Sequence, residues 1–167
     1  TWTQLGQDID GEAAGDESGY AASLSSDGTI VAIGAAENEN NTGHVRVYQY
    51  SSGSWSKLGS DIDGEAAGDY SGHSISMSSD GTILAIGARG NDENGNDAGH
   101  VRVYQYSSGS WTQLGSDIDG DISFGINGET GRTVSLSSNG MIVAIRSWGN
   151  SFSGKIKIYN YANGNWT

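Results

Sequence analysis

An acidic loop punctuated by glycine occurs three times in this sequence and is its clearest candidate for metal chemistry. The segment DIDGEAAGD spans residues 8–16 and returns at residues 61–69, and a weaker copy, DIDGD, begins at residue 117. Calcium takes several oxygen ligands from a flexible loop, and glycine permits the tight bends that such a loop needs. Calcium is therefore the candidate cation, with ligands from the acids of the three loops: Asp8, Asp10, Glu12, Asp16, Asp61, Asp63, Glu65, Asp69, Asp117, Asp119 and Asp121.

The same acids have an alternative role as turn formers. None of the three loops has the twelve-residue form with a terminal Glu that is typical of an EF-hand. Aspartate side chains accept hydrogen bonds from nearby backbone amides, and glycine supplies positive φ. The turn interpretation is favoured, because a loop that closes each structural repeat would itself be repeated. Both interpretations remain open at this point.

A second candidate surface is the connection between the predicted second and third strands of each unit. It reads AENENNTG, RGNDENGNDAG and WGNSFSG in the three units, and such variation in length is typical of a surface loop. The most polar version offers a cation or glycan site, with a solvated loop as the favoured alternative: Asn91, Asp92, Glu93, Asn96 and Asp97. Two N-glycosylation sequons are present, at Asn40 and Asn165.

Other chemistry has little support in the sequence. His44 and His100 occupy equivalent positions in two units, where Lys155 stands in the third, and two histidines without a further ligand are a weak metal site. A histidine at a strand edge is the favoured interpretation. The chain contains no G-x-S-x-G, H-E-x-x-H or P-loop pattern and no cysteine, so we expect it not to be an enzyme.

Composition excludes several classes of partner. The 167 residues include 20 Asp and Glu against 8 Lys and Arg, which gives a formal net charge of −12. Phosphate recognition needs clustered basic residues, so we expect no nucleic-acid ligand. No apolar run approaches the ~18 residues of a membrane span, so we expect no membrane insertion. The sequence opens on TWTQLG without an initiator Met and shows no signal peptide, so we expect a mature segment or an excised piece of a longer protein.

The elements that carry these residues are set by an internal repeat. Tryptophans recur at Trp2, Trp55, Trp111 and Trp166, with spacings of 53, 56 and 55 residues. Alternating apolar residues and Asp-Gly turns predict four antiparallel strands in each unit. In the first unit the predicted strands are Tyr20–Ser25, Thr29–Ala35, His44–Tyr50 and Trp55–Leu58. The second of these is apolar on both faces, as expected for a strand that is covered on both sides.

Repeats of four antiparallel strands and about 55 residues predict an all-β fold of β-propeller blades. The predicted blades of this single repeat domain (1–167) are approximately 7–58, 59–114 and 115–167, and residues 1–6 are an outer strand of a neighbouring blade. Three blades are too few to close a ring, since propellers have about four to eight. We expect the chain to be part of a larger ring, a head-to-tail dimer or an array.

The segments SGYAASLSSDGTIVAIGA and GHVRVY resemble the FG-GAP repeat, the blade of integrin-alpha-like propellers. The family's Phe-Gly pair is matched by Ser18-Gly19, Ser71-Gly72 and Thr130-Gly131. Many family members bind calcium between the first two strands, but here that connection is three residues with at most one carboxylate, such as Ser26-Asp27-Gly28. Six to eight oxygen ligands cannot come from it, so the family's calcium site is not transferred.

Together these features predict a non-catalytic recognition or adhesion module at an extracellular or cell-surface location. Its expected partner is a protein or a glycan. The alternative is a structural repeat protein that self-associates through donated strands into a fibre or surface layer.

Overall fold

The computed structural model describes residues 1–120, 128–148 and 154–167. The first unit is an antiparallel sheet in which the strands lie in chain order. Its strands are β1 (Ala21–Leu24), β2 (Ile30–Ala35), β3 (His44–Ser51) and β4 (Ser54–Lys57). A short helical turn, α1 (Asn38–Asn41), joins β2 to β3, and its last three residues have positive φ, so it is not a regular helix.

The second and third units repeat this arrangement. The second contains β5 (Ile62–Asp63), β6 (Ser71–Met77), β7 (Ile83–Ala88), β8 (His100–Ser107) and β9 (Ser110–Gln113). The third contains β10 (Ile118–Asp119), β11 (Thr133–Leu136), β12 (Ile142–Ser147), β13 (Lys155–Ala162) and β14 (Asn165–Trp166). The predicted all-β architecture of antiparallel four-stranded units is confirmed.

The acidic loops contribute an element that the sequence did not indicate. β5 pairs with β3 of the preceding unit, and β10 pairs with β8 in the same way, so each of these two sheets gains a short fifth strand. Ile62 and Ile118 are buried in these positions. The second and third acidic loops therefore each begin with a short strand that pairs with the third strand of the unit before.

Side-chain hydrogen bonds explain the tight turn between the first two strands of each unit. Asp27 Oδ1 accepts hydrogen bonds from Ser25 Oγ at 2.7 Å and from the Thr29 amide at 2.9 Å. Asp80 has the same bonds in the second unit, and Asn139 replaces the carboxylate with an amide oxygen in the third. The hairpin turn predicted from the Asp-Gly pair is confirmed, and its carboxylate is used by the turn itself.

Glycines allow successive units to approach at backbone distance. A Cβ built at Gly34 would lie 2.2 Å from the carbonyl oxygen of Gly72, and one at Gly87 would lie 2.0 Å from that of Gly131. Gly72 and Gly131 each have a φ of 86°, which only glycine adopts readily. The glycine near the start of one unit thus meets the next-to-last residue of the second strand of the unit before it.

The first strands of successive units are also joined by serine side chains. Ser23 Oγ accepts a hydrogen bond from the Met77 amide at 3.1 Å, and Ser76 Oγ accepts one from the Leu136 amide at 2.9 Å. These short side chains satisfy backbone donors of the next unit where a larger residue would keep the strands apart.

Hydrophobic packing fills the rest of each junction. The third strand of one unit packs against the second strand of the next, and the residues at the two junctions are Val45, Val47, Leu84 and Ile86, then Val101, Val103, Val143 and Ile145. All six residues of β7 are buried. The prediction that the second strand is covered on both faces is thereby confirmed for the middle unit.

The outer strands are fixed by aromatic pairs. Tyr50 packs against Trp55 with ring centroids 5.2 Å apart, and the equivalent pairs of the other units lie at 5.1 Å. The Trp55 indole N–H donates to the Leu5 carbonyl at 2.8 Å.

In the part of the chain that the structure describes, no helix has the length and apolar character needed to cross a membrane.

Candidate functional site

Two buried arginines anchor the acidic loops of the first two units. Arg46 Nη2 donates to the Asp10 carbonyl at 3.0 Å, and Arg102 Nη2 donates to the Asp63 carbonyl at 2.9 Å. Each arginine also pairs with the Glu of its loop: Arg46 with Glu12 at 3.5 Å, and Arg102 with Glu65 at 3.1 Å. The loop therefore supplies the counter-charge for an arginine that its own unit buries.

The last acid of each of the first two loops closes a turn. Asp16 Oδ2 accepts a hydrogen bond from the Ala13 amide at 3.0 Å, and Asp69 Oδ2 accepts one from the Ala66 amide at 3.0 Å. Both aspartates are buried. Asp69 Oδ2 also accepts from Asn91 Nδ2 at 3.2 Å, which ties the variable loop of the second unit to the acidic loop.

The first acid of each loop pairs with the side chain four residues before it. Asp8 Oδ1 accepts from Gln4 Nε2 at 2.8 Å, and Asp61 Oδ1 lies 2.5 Å from Lys57 Nζ. Asp117 Oδ1 accepts from Gln113 Nε2. Lysine therefore neutralises this acid in one copy, whereas a neutral glutamine leaves its charge in the other two.

Of the remaining candidates, Asp10, Asp63 and Asp119 are exposed, and Asp121 lies outside the described residues. Within residues 1–120, 128–148 and 154–167, no group of potential metal ligands comes from one acidic loop alone. In the first two loops the described contacts are turn bonds and arginine ion pairs, and calcium binding within a single loop stays a prediction.

The variable loop of the second unit folds against itself. Asn91 Oδ1 accepts from the Glu93 amide at 3.1 Å, and Asp92 Oδ1 accepts from the Asp97 amide at 2.7 Å. Asn96 Nδ2 donates to Asp97 Oδ2 at 2.9 Å. Asn91 is buried, so it positions the loop, while Glu93 is exposed at its tip.

Four side chains from separate segments converge where the second and third units meet. They are Glu65, Glu93, His100 and Asp117, and their potential ligand atoms all lie within 4.8 Å of one another. His100 is only 1% exposed, and its Nδ1 has no hydrogen-bond partner among the described residues. That atom lies 3.8 Å from Glu65 Oε2 and 3.7 Å from Asp117 Oδ2. We call these four residues the junction cluster.

The electrostatics of the junction cluster are those of an acidic site around a neutral imidazole. Burial, with the Arg102 guanidinium as the next cause, lowers the pKa of His100 to about 4, so its ring is neutral at pH 7. Burial also raises the pKa of the Glu65 carboxyl; Arg102 opposes this, and the Asp117 and Glu93 carboxylates add to it. The pKa of Asp119 is raised by burial and by the same two neighbouring carboxylates.

Two open clefts border this cluster. One, of about 490 Å³, is lined by Glu65–Ala67, Asp69 and Asn91–Glu93. The other, of about 440 Å³, is lined by Glu93, Asn94, Ser116, Asp117 and Asp119. Glu93 lies between the two clefts, so the acidic loops of two units and the variable loop form one continuous acidic edge.

Sequence reasoning placed Glu65, Glu93 and Asp117 among candidate residues but set His100 aside as a strand-edge residue. Arg102 and Gln113, which orient two of the acids, were not identified. The available signal was the change from Lys57 to Gln113 at equivalent repeat positions, since it leaves one acid without a neutralising partner. Asn40 and Asn165, the two sequon asparagines, are both exposed.

Comparison with solved structures shows the same fold at low sequence identity. The chain is similar to a protein described as a 6-phosphogluconolactonase from Bacteroides uniformis, with a TM-score of 0.59, 14% identity and coverage of 88% of this chain and 38% of that chain. It is also similar to TolB from Acinetobacter baumannii, with a TM-score of 0.51, 17% identity and coverage of 88% and 31%.

A third similar structure is the periplasmic gluconolactonase PpgL from Pseudomonas aeruginosa, with a TM-score of 0.53, 14% identity and coverage of 85% and 39%. These folds are propeller-like, so the predicted class of β-propeller blades is confirmed. The chain spans between 31% and 39% of the length of these three structures.

A search of curated proteins finds no match. Residues 61–104 match the FG-GAP repeat family. This range runs from the acidic loop through β6, β7 and the first half of β8, and both neighbouring units repeat its strand order. The chain is therefore a β-propeller repeat protein whose middle unit matches the FG-GAP repeat family.

Proposed function

We propose that this chain is a non-catalytic recognition or adhesion module of an extracellular or cell-surface protein. The observation that carries the proposal is the acidic edge, where loops of two successive units line adjoining clefts. Loops on a rigid β scaffold commonly carry binding residues, because the sheets hold them while their sequences vary. The expected partner is a protein with basic side chains or a hydroxyl-rich glycan.

Charge supports this type of partner. The chain carries a net charge of −12, and a cleft lined by one sign of charge concentrates ligands of the opposite sign. The Tyr–Trp pairs of the outer strands pack against one another and against the chain. They therefore contribute to packing, which leaves the acidic edge as the better candidate surface.

The proposed absence of catalysis follows from the repeated roles of the acids. Glu12 and Glu65 both pair with an arginine, and Asp16 and Asp69 both close a turn. These four acids therefore have structural roles that the first two units share, which supports a non-catalytic assignment for them. The similarity to lactonases is at 14% identity and is a likeness of fold.

Exposed sequons support the proposed location. Asn40 lies in an exposed turn, and Asn165 lies on the outer strand β14. Both amides are accessible for a glycan, which is added to proteins that pass through a secretory pathway.

Binding to a charged surface tests the recognition role. The probes are an oligolysine peptide, a polylysine surface and an array of neutral glycans, read by biolayer interferometry. We expect the Glu93→Gln variant to weaken binding several-fold, whereas Glu37→Gln, an exposed charge in the first unit, leaves it unchanged. Equal loss in both variants would show nonspecific charge attraction and contradict the proposal. Hydrolysis of gluconolactone above the buffer rate would contradict the non-catalytic assignment.

A second candidate function, assembly into a ring or fibre, is favoured by the open faces of the terminal units. Ile156 and Ile158 on β13 are 62% and 69% exposed, whereas Val101 and Val103, the equivalent residues on β8, are buried by the third unit. Trp2 is fully exposed, although its equivalents in the other copies pack against tyrosine.

Residues 1–6 form no strand in the described sheets. Their assignment to a neighbouring blade stays a prediction. Sedimentation velocity over a range of concentrations tests it: a discrete dimer supports a ring, growth to large species supports a fibre, and a monomer unchanged by Ile158→Glu contradicts both.

A further inference from the structure

We propose that a divalent transition-metal ion binds between the second and third units, held by His100 Nδ1 and by carboxylate oxygens of Glu65, Glu93 and Asp117. The proposed ion site lies on the acidic edge. The inference does not depend on the proposed recognition role, because the ion can bind whether or not the edge binds a partner.

The buried imidazole is the observation that distinguishes this site from a group of surface acids. His100 is 1% exposed, and its Nδ1 has no hydrogen-bond partner in the described part of the chain. A buried polar atom without a partner is costly and is rare in native structures. Here the atom faces two carboxylates at 3.7 and 3.8 Å, beyond hydrogen-bond distance, and an ion between them would satisfy all three groups.

The spacing of the four ligands is close to that of a real site. Zinc bonds of about 2.1 Å in a tetrahedron place neighbouring ligand atoms about 3.4 Å apart. The two nitrogen-to-oxygen distances in the structure, 3.7 and 3.8 Å, exceed this by a few tenths of an ångström. The Glu93 carboxylate lies within 4.8 Å of the other potential ligand atoms. Because Glu93 is at the tip of an exposed loop, a small movement of that loop can bring its oxygen to bonding distance of the ion.

Charge balance also calls for a cation. The junction cluster contains three carboxylates, and Arg102 is paired with one of them through Glu65 Oε1 at 3.1 Å. Glu65 Oε2 remains directed at His100. Gln113 holds Asp117 Oδ1 without neutralising it, and Asp117 Oδ2 faces His100. Arg102 and Gln113 thus fix the ligands from behind, as outer residues do in metal sites.

The first unit provides an internal contrast. His44, Glu12 and Asp61 stand at the positions equivalent to His100, Glu65 and Asp117. Lys57 Nζ lies 2.5 Å from Asp61 Oδ1, where the second unit has Gln113. Within the described residues, the metal-ligand geometry is found at the junction of the second and third units. The equivalent residues thus occur twice in the chain. In one copy a lysine neutralises the aspartate, and in the other the aspartate is bonded to a neutral glutamine and can bind an ion.

The donor set selects the class of metal. Calcium and magnesium favour oxygen ligands alone, whereas an imidazole nitrogen suits zinc and its neighbours in the first transition series. One nitrogen with three carboxylates fits Zn²⁺ or Mn²⁺. The ligands come from both units, so the bound ion would join the second unit to the third.

Direct metal binding tests the proposal without any recognition partner. The chelator-treated chain is titrated with Zn²⁺ alone by calorimetry, and bound metal is counted after dialysis by mass spectrometry. We expect one Zn²⁺ per chain, a Zn–N distance of about 2.0–2.1 Å by X-ray absorption, and binding at least tenfold weaker in Glu93→Gln and in Gln113→Lys. The second variant places on Asp117 the lysine that the first unit carries. His44→Gln is the matched control and should bind like the wild type.

Each other outcome overturns the assignment. Absence of bound Zn²⁺ and Mn²⁺ at micromolar concentration removes the site. If His44→Gln loses as much zinc binding as His100→Gln, the ion does not bind at the junction cluster. If His100→Gln fails to fold, Glu93→Gln still tests the site, because Glu93 is at an exposed position. Displacement of Zn²⁺ by an equal concentration of Ca²⁺ would show an all-oxygen site and contradict the transition-metal assignment.

Discussion

Replacement of Gly87 by alanine tests the close contact between successive units. Gly87 lies in β7, and its added Cβ would stand 2.0 Å from the Gly131 carbonyl oxygen and 2.5 Å from Ser74 Oγ. The first of these is about 1.4 Å short of the 3.4 Å at which ordinary contact begins. The obstacle is a backbone carbonyl, which a change of rotamer cannot move, so the second and third units must separate.

The cost follows from two opposing effects. Overpacking a close junction costs about 1–3 kcal/mol, and a backbone clash of this size belongs at the upper end of that range. Alanine also restricts the unfolded chain, which stabilises the fold by about 0.5 kcal/mol. The net loss in the free energy of unfolding is about 2.5 kcal/mol, which corresponds to a Tm lowered by roughly 5–10 °C for a chain of this size.

Thermal and urea unfolding of the wild type and of Gly87→Ala measure this loss. Gly154→Ala is the matched control, because its Cβ would come no closer than 3.5 Å to any described atom, and we expect its stability to equal or slightly exceed that of the wild type. Gly34→Ala should behave like Gly87→Ala, since its Cβ would meet Gly72 O at 2.2 Å. If Gly87→Ala and Gly154→Ala are equally stable, the backbone approach of the units is not as described and the packing argument fails.

Three further predictions concern the junctions and turns. Val103 is 1% exposed, whereas Ile158, its equivalent in the third unit, is 69% exposed. Val103→Ala should therefore lower the free energy of unfolding by about 2 kcal/mol, and Ile158→Ala should lower it by less than about 0.5 kcal/mol. Equal losses in urea unfolding would contradict this prediction. Asp80→Asn should leave the free energy of unfolding nearly unchanged, because Asn139 makes the equivalent turn bonds in the third unit. Asp80→Ala should lower it by about 1 kcal/mol. The Tm values of the two variants test this prediction, which would be refuted if the Asn variant were as unstable as the Ala variant. Burial, followed by Arg89 and Arg132, lowers the pKa of His73 from 6.5 to about 4, and Glu129 opposes this shift. Between pH 4 and 6.5 the unfolded chain therefore binds more protons than the folded chain. The free energy of unfolding consequently falls as the pH is lowered from 6.5 towards 4. His73→Gln should reduce the difference between urea midpoints at pH 7 and pH 5, and an unchanged difference would show that other groups cause it.

The fold was largely predictable because its signals are local. Alternating apolar residues and Asp-Gly turns fix the strands of each unit, and the 53- to 56-residue spacing of tryptophan shows that one unit is repeated. The short strands β5 and β10 were not predictable, because they have two residues each. Their pairing depends on a third strand that lies in another part of the sequence.

The candidate site was predictable only in part. Glu65 and Asp117 stand out as acids in glycine-rich loops, and Glu93 as part of a polar loop. Their approach to His100 is a property of the folded chain, since β10 lays Asp117 beside the start of β8. His44 and His100 have identical neighbours in sequence, GHVRVYQY, yet their surroundings differ because the outer strand that precedes the facing acidic loop ends in Lys57 in one copy and in Gln113 in the other.

The sequence determined that this protein is a series of small antiparallel sheets, since periodicity, turn residues and repetition are encoded within each unit. The tertiary structure alone decided which acids serve as turn bonds, which neutralise an arginine, and which meet a buried imidazole. The physical reason is that charge and hydrogen-bond partners are assigned by distance in space, and at the junction of two units the nearest groups come from segments far apart along the chain.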